Sequence, residues 1–164
     1  MAREVGAALP DFLCELFSGE DLPARMGEAI LIATTDASGW SHPAMLSYGE
    51  IVALDRHRLR LALYRTSRTA DNLRRNGKLT VCLIRPNMAY YIKAGAEQQQ
   101  DPMEGFDHLV CFEVRVEMVL VDQARDDIEP GASIIGGILF APGRPMEETL
   151  QGWRAVVQGL RRNA

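Results

Sequence analysis

The run LVCFEVRVEMVLVD, Leu109 to Asp122, restricts what this chain can fold into more than any other stretch. Val110, Phe112, Val114, Val116, Met118 and Leu120 fall on one face of an extended strand, while Glu113, Arg115 and Glu117 occupy part of the other. A common strand holds about 5–6 residues. One roughly twice as long suits a barrel wall that bends from one sheet into another.

The neighbouring segments supply the rest of such a wall. AILIATT (Ala29 to Thr35) reads as a compact apolar strand, DASGW (Asp36 to Trp40) as its turn, and SHPAMLSYGEIVAL (Ser41 to Leu54) as its hairpin partner. Pro43 places that partner at a strand start or a sheet edge, because proline donates nothing to a ladder. RLRLALY (Arg58 to Tyr64) alternates, with Leu59, Leu61 and Leu63 facing one way and Arg60, Ala62 and Tyr64 the other, the pattern of a half-buried strand. KLTVCLI (Lys78 to Ile84) repeats the pattern with Leu79, Val81 and Leu83 on one face. MAYYIKAGA (Met88 to Ala96) reads as one more strand. EQQQDPMEGFD (Glu97 to Asp107), polar and broken by Pro102 and Gly105, reads as a loop, and DQARDDIEPGA (Asp122 to Ala132) as a charged turn. SIIGGILFAPGRP (Ser133 to Pro145) has no clear period.

Helices are expected at about 9–17, where Leu9, Leu13, Leu16 and Phe17 share a side, and at about 146–162, where Leu150, Trp153, Val157 and Leu160 do. A third, short helix runs from Arg68 to Arg75 and stops at Asn76-Gly77. The sum is an α+β chain, mainly β: a six- to seven-stranded antiparallel barrel, closed or partly closed, with short flanking helices in one domain spanning 1–164.

Composition narrows the function classes. With 47% hydrophobic and 24% charged residues the chain is an ordinary globular one. It has no apolar run near the ~20 residues that span a bilayer and no export signal in its first residues, so a cytoplasmic protein without membrane attachment is expected. Eighteen Lys and Arg against 22 Asp and Glu argue against a broad nucleic-acid surface. Cys14, Cys82 and Cys111 are widely spaced among apolar neighbours, which fits buried free thiols; no metal site is expected of them. His42, His57 and His108 are isolated, and no nucleophile-elbow spacing accompanies them.

One turn stands out, YRTSRTADNLRRNG, Tyr64 to Gly77. Ser67 is a natural helix N-cap, and Asp71 falls in the first turn, where negative charge suits the helix dipole. Capping does not explain Arg65 and Arg68, since cations at a helix start are slightly unfavourable. An anion reverses that sign: free N–H groups, the hydroxyls of Thr66, Ser67 and Thr69, and the guanidinium forks would together surround a phosphate. Local physics leaves both readings open, a solvated cap or a phosphate seat.

The order of elements around that turn resembles the pyridoxamine 5'-phosphate oxidase-like family of FMN-binding split barrels. The resemblance covers about Glu28 to Val121 and is strongest over Leu59 to Ile84, where LYRTSRTADNLRRNG precedes KLTVCLI. It implies FMN as cofactor. Ser67, Arg68 and Thr69 match the phosphate turn; Tyr64, Arg65 and Thr66 would lie near the ribityl chain or phosphate. Met45, Leu46 and Ser47 match the segment whose backbone passes beside the isoalloxazine ring. The resemblance further implies a homodimer and oxidoreductase chemistry carried by the flavin, with an unknown small-molecule substrate and electron donor and no assigned catalytic side chain. Two departures matter: Thr69 replaces the oxidase's usual lysine, and the chain ends in GWRAVVQGLRRNA on an amphipathic helix, which argues against pyridoxamine phosphate as substrate. A split barrel without cofactor, acting as a non-redox binding or interaction module, is the alternative, and a deazaflavin or haem in the same cleft is a third reading.

Overall fold

In a computed structural model, which describes residues 2–162, the chain runs β1 (Arg3–Gly6), α1 (Asp11–Leu16), β2 (Glu28–Thr35), β3 (Ser41–Ser47), β4 (Ile51–Ala53), β5 (Arg58–Tyr64), α2 (Arg68–Asn76), β6 (Lys78–Arg85), β7 (Met88–Gln100), β8 (Leu109–Asp122), β9 (Ile138–Leu139) and α3 (Met146–Arg161). Met1, Asn163 and Ala164, part of the expected 1–164 domain, lie outside the described residues. Seven strands form one antiparallel path, β3-β2-β6-β7-β8-β5-β4; β1 adds to β8 and β9 to β2. The ends of the path, β3 and β4, are joined in sequence by only Tyr48–Glu50, so the sheet curls until its two edges meet at that corner. This is the α+β split barrel that the alternation pattern predicts.

The long strand forms the wall as expected, but its face changes partway. Lys93 pairs with Met118 and Ala94 with Val116, so Glu117 is an extra residue, a β-bulge on β8. An inserted residue exchanges the two faces of everything beyond it. Val110, Phe112, Val114 and Val116 are buried before the bulge, and Val119 and Val121 after it, in place of the expected Met118 and Leu120. The bulge also divides the strand's partners. Leu109–Arg115 pairs with β5, and Val119–Val121 with β1.

Three further expectations are corrected. The segment Ser41–Leu54 is two strands, not one hairpin partner: β3 pairs with β2, and β4 leaves the Tyr48-Gly49 turn to pair with β5 at the other end of the path. The β5 strand is buried on both faces, Arg60 and Ala62 included. The reason is α3, which the β5 pattern could not announce: Arg60 Nη1 donates to the carbonyls of Leu160 (3.0 Å) and Arg162 (2.7 Å), and Nη2 meets Glu113 Oε2 at 3.3 Å. A buried guanidinium thus satisfies carbonyls that the end of α3 leaves without intrahelical donors. Finally, β7 continues through Gln100, so Glu97–Gln100 is strand rather than loop.

The two terminal helices close the barrel as covers. Leu9, Leu13 and Phe17 of the α1 region are wholly buried, and Leu150, Val157 and Leu160 of α3 join the same core as Phe112 and Leu61. Pro43 sits on edge strand β3, as its missing N–H requires. No helix among the described residues is long and apolar enough to cross a membrane.

Candidate functional site

Strand β5 ends at Tyr64, and the chain turns through Arg65 and Thr66 into α2. Ser67 caps that helix, its Oγ accepting from Ala70 N at 3.1 Å, and Asp71 lies in the first turn. The other end closes on Gly77, whose φ of 64° is the left-handed conformation that a C-cap requires. Asn72, also buried, donates from Nδ2 to Thr34 Oγ1 at 2.9 Å and so clamps α2 to β2. The helix start is therefore fixed by a cap on one side and a strand on the other. Since the first N–H groups of a helix have no intrahelical acceptor, and Ser67 takes that of Ala70, those of Arg68 and Thr69 remain at the same end as the Arg68 side chain. Arg68 is exposed and has no ion-pair or hydrogen-bond partner among the described residues.

Arg65 is placed differently. Its Nε binds Asp101 Oδ1 and its Nη1 donates to Asp107 O at 3.1 Å. Arg74 reaches Asp101 Oδ2 (3.0 Å), Asp71 Oδ1 (2.9 Å) and the carbonyl of Arg65 (3.1 Å). Asp101 thus bridges two guanidinium groups and partly neutralises them. Tyr64, Arg65, Thr66, Arg74, Asp101, Asp107 and His108 surround a cleft of ≈ 450 Å³.

Tyr64 and His108, with ring centroids 6.0 Å apart, also line a second cavity of ≈ 500 Å³ that runs from the barrel mouth to α3. Its walls include Phe106, Phe140 and Trp153, and its polar groups Ser47, Glu50, Arg144 and Glu148. Trp153 stands against Gly49 so closely that a Cβ there would lie 2.2 Å from the indole Cγ. In its lining, Glu50 Oε2 accepts from Ser47 N (2.7 Å) and Ser47 Oγ (2.8 Å). Burial pushes the Glu50 carboxyl above the ordinary carboxylate range, against the lowering effect of the two Ser47 bonds.

The residues singled out in the sequence therefore scatter by role. Tyr64, Arg65 and Thr66 line the first cleft, and Ser47 and Tyr64 the second. Ser67 caps α2, Arg68 is open, and the Thr69 side chain is buried. Met45 is exposed (64%), whereas Leu46 belongs to the core. Because β3 pairs only with β2, half of its backbone groups face outward, so Met45–Ser47 can offer main-chain rather than Leu46 side-chain contacts. Sequence reasoning missed Asp101 in the first cleft and Glu50 and Phe140 in the second. Arg74, two turns after the Ser67 cap, also lines the first cleft.

No protein-family model matches the chain. The uncharacterized protein YclD of Bacillus subtilis (strain 168) is 31% identical over 157 residues, which covers 94% of this chain and 96% of that protein. Among solved structures, a candidate pyridoxamine 5'-phosphate oxidase from Lactobacillus delbrueckii superposes with a TM-score of 0.52 at 18% identity, covering 71% of this chain and 98% of that one. A Clostridium acetobutylicum protein related to general stress protein 26, of the pyridoxinephosphate oxidase family, gives 0.52 at 13% identity, covering 69% and 89%. HupZ of Group A Streptococcus gives 0.51 at 18%, covering 64% and 91%. At these identities the structural likeness concerns the fold.

Proposed function

We propose that this chain, which belongs to the family of Bacillus subtilis YclD and has the split-barrel fold of the pyridoxamine 5'-phosphate oxidase-like proteins, binds FMN at the α2 turn and acts as an oxidoreductase, as a homodimer. The observation that carries the reading is Arg68: an exposed guanidinium without a partner among the described residues, beside two uncommitted backbone N–H groups at the start of a capped and clamped helix. Such an arrangement has an unfavourable charge at the dipole's positive end until an anion arrives. FMN, when bound, supplies hydride and electron transfer.

The chain's own part is to hold and orient it. Ser67, Arg68 and Thr69 would take the phosphate, Thr69 through its N–H because its side chain is buried. Tyr64, Arg65 and Thr66 would lie along the ribityl chain in the ≈ 450 Å³ cleft. The outward edge of β3 at Met45, Leu46 and Ser47 would present backbone groups to the ring. Arg65, held by Asp101, acts as a wall of the cleft more than as a phosphate cation.

The same ion pair favours a second reading, a split barrel that binds without redox turnover, since it removes one cation from the phosphate count. Titration of the purified protein with FMN, followed by flavin absorbance and fluorescence, separates the two. Saturable binding is expected. Arg68→Ala weakens it by about 1–3 kcal/mol, the scale of a lost charge-assisted hydrogen bond, while Arg65→Ala has the smaller effect. Absence of binding at millimolar FMN refutes the proposal; bound flavin that no reduced nicotinamide reduces favours the non-redox module.

A further inference from the structure

The second cavity is not accounted for by a phosphate turn and a flavin ring edge. Its floor and walls have a chemistry of their own. Glu50 is anchored through one oxygen only: Oε2 takes both Ser47 bonds, and Oε1 has no hydrogen-bond partner among the described residues. The same cavity is lined by the rings of Tyr64, Phe106, Phe140 and Trp153, the last two with centroids 6.4 Å apart. Arg144 and Glu148 at the exposed rim carry opposite charges, so Glu50 leaves the cavity with a net negative interior.

A half-satisfied carboxylate among aromatic faces is a receptor for a particular ligand. The negative faces of aromatic rings attract a cation, most strongly where water is excluded. A planar apolar body fills the space between rings. A partly buried carboxylate gains from a donor brought to its open oxygen, which also favours its charged form. An anion would meet the Glu50 carboxylate and be repelled, the rim charges of Arg144 and Glu148 offsetting one another.

We infer that the groove between α3 and the barrel mouth is a second ligand site, and that it takes a planar aromatic molecule bearing a cationic nitrogen, an amine or amidinium, received by Glu50 Oε1. As the substrate side of the flavin cleft it rests on the FMN reading, because Tyr64 and His108 line both cavities. As a binding site it stands on its own lining.

Benzamidine is a suitable probe, with benzyl alcohol and benzoate as neutral and anionic counterparts of similar shape. In Trp40→Phe protein, Trp153 is the single tryptophan and reports on the groove. Saturable change of its emission with benzamidine is expected, confirmed by calorimetry, with benzyl alcohol at least tenfold weaker and benzoate weaker still. Glu50→Gln, which keeps an acceptor for Ser47, weakens benzamidine at least tenfold; Glu148→Gln at the rim changes it less than threefold. Benzoate binding as tightly as benzamidine, or an undiminished affinity in Glu50→Gln, overturns the inference. The ligand series on otherwise unaltered protein decides the charge requirement even if Glu50→Gln does not fold. FMN is titrated separately: flavin binding without benzamidine binding overturns this site and leaves the flavin seat standing, whereas benzamidine binding without flavin removes the flavin seat and keeps the site.

Discussion

Gly49 is the point where the fold and the groove depend on one missing atom. A Cβ at this position would lie 2.2 Å from Trp153 Cγ, 2.5 Å from Cδ1 and 2.6 Å from its Cβ. Carbon atoms in favourable contact sit about 3.5–4.0 Å apart. Gly49→Ala therefore drives the indole back by about 1 Å or more, and the obstacle is the stem of the side chain, which no rotamer change removes. Trp153 is carried on α3, whose Leu150, Val157 and Leu160 are seated in the core. Either the helix lifts or the Ser47–Glu50 turn shifts. Overpacking of this kind costs about 1–3 kcal/mol, and the effect belongs at its upper end because both contacting groups are anchored. Equilibrium urea unfolding, followed by the emission of Trp153 in a Trp40→Phe background, measures it. The natural control is Gly152→Ala on α3, where an added Cβ meets nothing within 4 Å. There the helix gains about 0.5–1 kcal/mol from the lower chain entropy of alanine. A Gly49→Ala protein as stable as its parent, with unchanged Trp153 emission, would refute the packing argument and with it the account of how the groove wall is fixed.

Two other outcomes follow from buried polar groups. Arg60→Met strips the C-terminal carbonyls of α3 of their donor and leaves Glu113, whose side chain is 12% exposed, without its partner; a loss of about 3–5 kcal/mol in urea unfolding is expected, the scale for breaking a buried ion pair, and a loss below about 1 kcal/mol would show that α3 docks without it. Burial, with the charge of Glu28 adding and Arg85 opposing, pushes the Tyr48 phenol from its ordinary value of 10.0 up to about 12. The folded state then holds this proton more tightly than the unfolded chain, so Tyr48 contributes stability that is intact below pH 10 and falls by about 2–3 kcal/mol as the pH rises to 12. Tyr48→Phe removes that part of the slope, and identical pH profiles for the two proteins would contradict the assignment.

Strands β2, β5, β6, β7 and β8 were legible from their own apolar patterns, whereas β1, β9 and the division of β3 from β4 were not. Leu79, Val81 and Leu83 of β6 are buried as their spacing requires, and the cap at Ser67 and the stop at Gly77 stand where local chemistry places them. What the sequence hides is set by contacts between distant residues. The bulge at Glu117 reverses the faces of β8 without any glycine or proline to mark it. Arg60 reads as an outward residue in an alternating strand; only the arrival of the helix that ends at Arg161 turns that face inward. The break at Tyr48-Gly49 is equally invisible locally, since Gly49 is required by Trp153, more than a hundred positions away.

The same distinction decides how the candidate site is read. In sequence, Arg65 and Arg68 look like equal cations flanking a Ser/Thr turn. In the folded chain, Asp101 has travelled from the end of β7 to claim Arg65 and Arg74 together, and Arg68 alone of the three keeps its charge open. A phosphate at this turn therefore meets one free guanidinium and a helix end, not a cluster of three. A charge of the opposite sign lies in the second cavity, where Glu50 shares the lining with Tyr64, Phe106, Phe140 and Trp153. The two cavities share Tyr64 and His108 in their linings. On the proposed reading, an anionic cofactor tail would seat at the arginine turn and a cationic aromatic ligand at Glu50, with Tyr64 and His108 between them. This polarity depends on Asp101 and Glu50 as much as on the arginine turn, and neither carboxylate belongs to the motif that first drew notice.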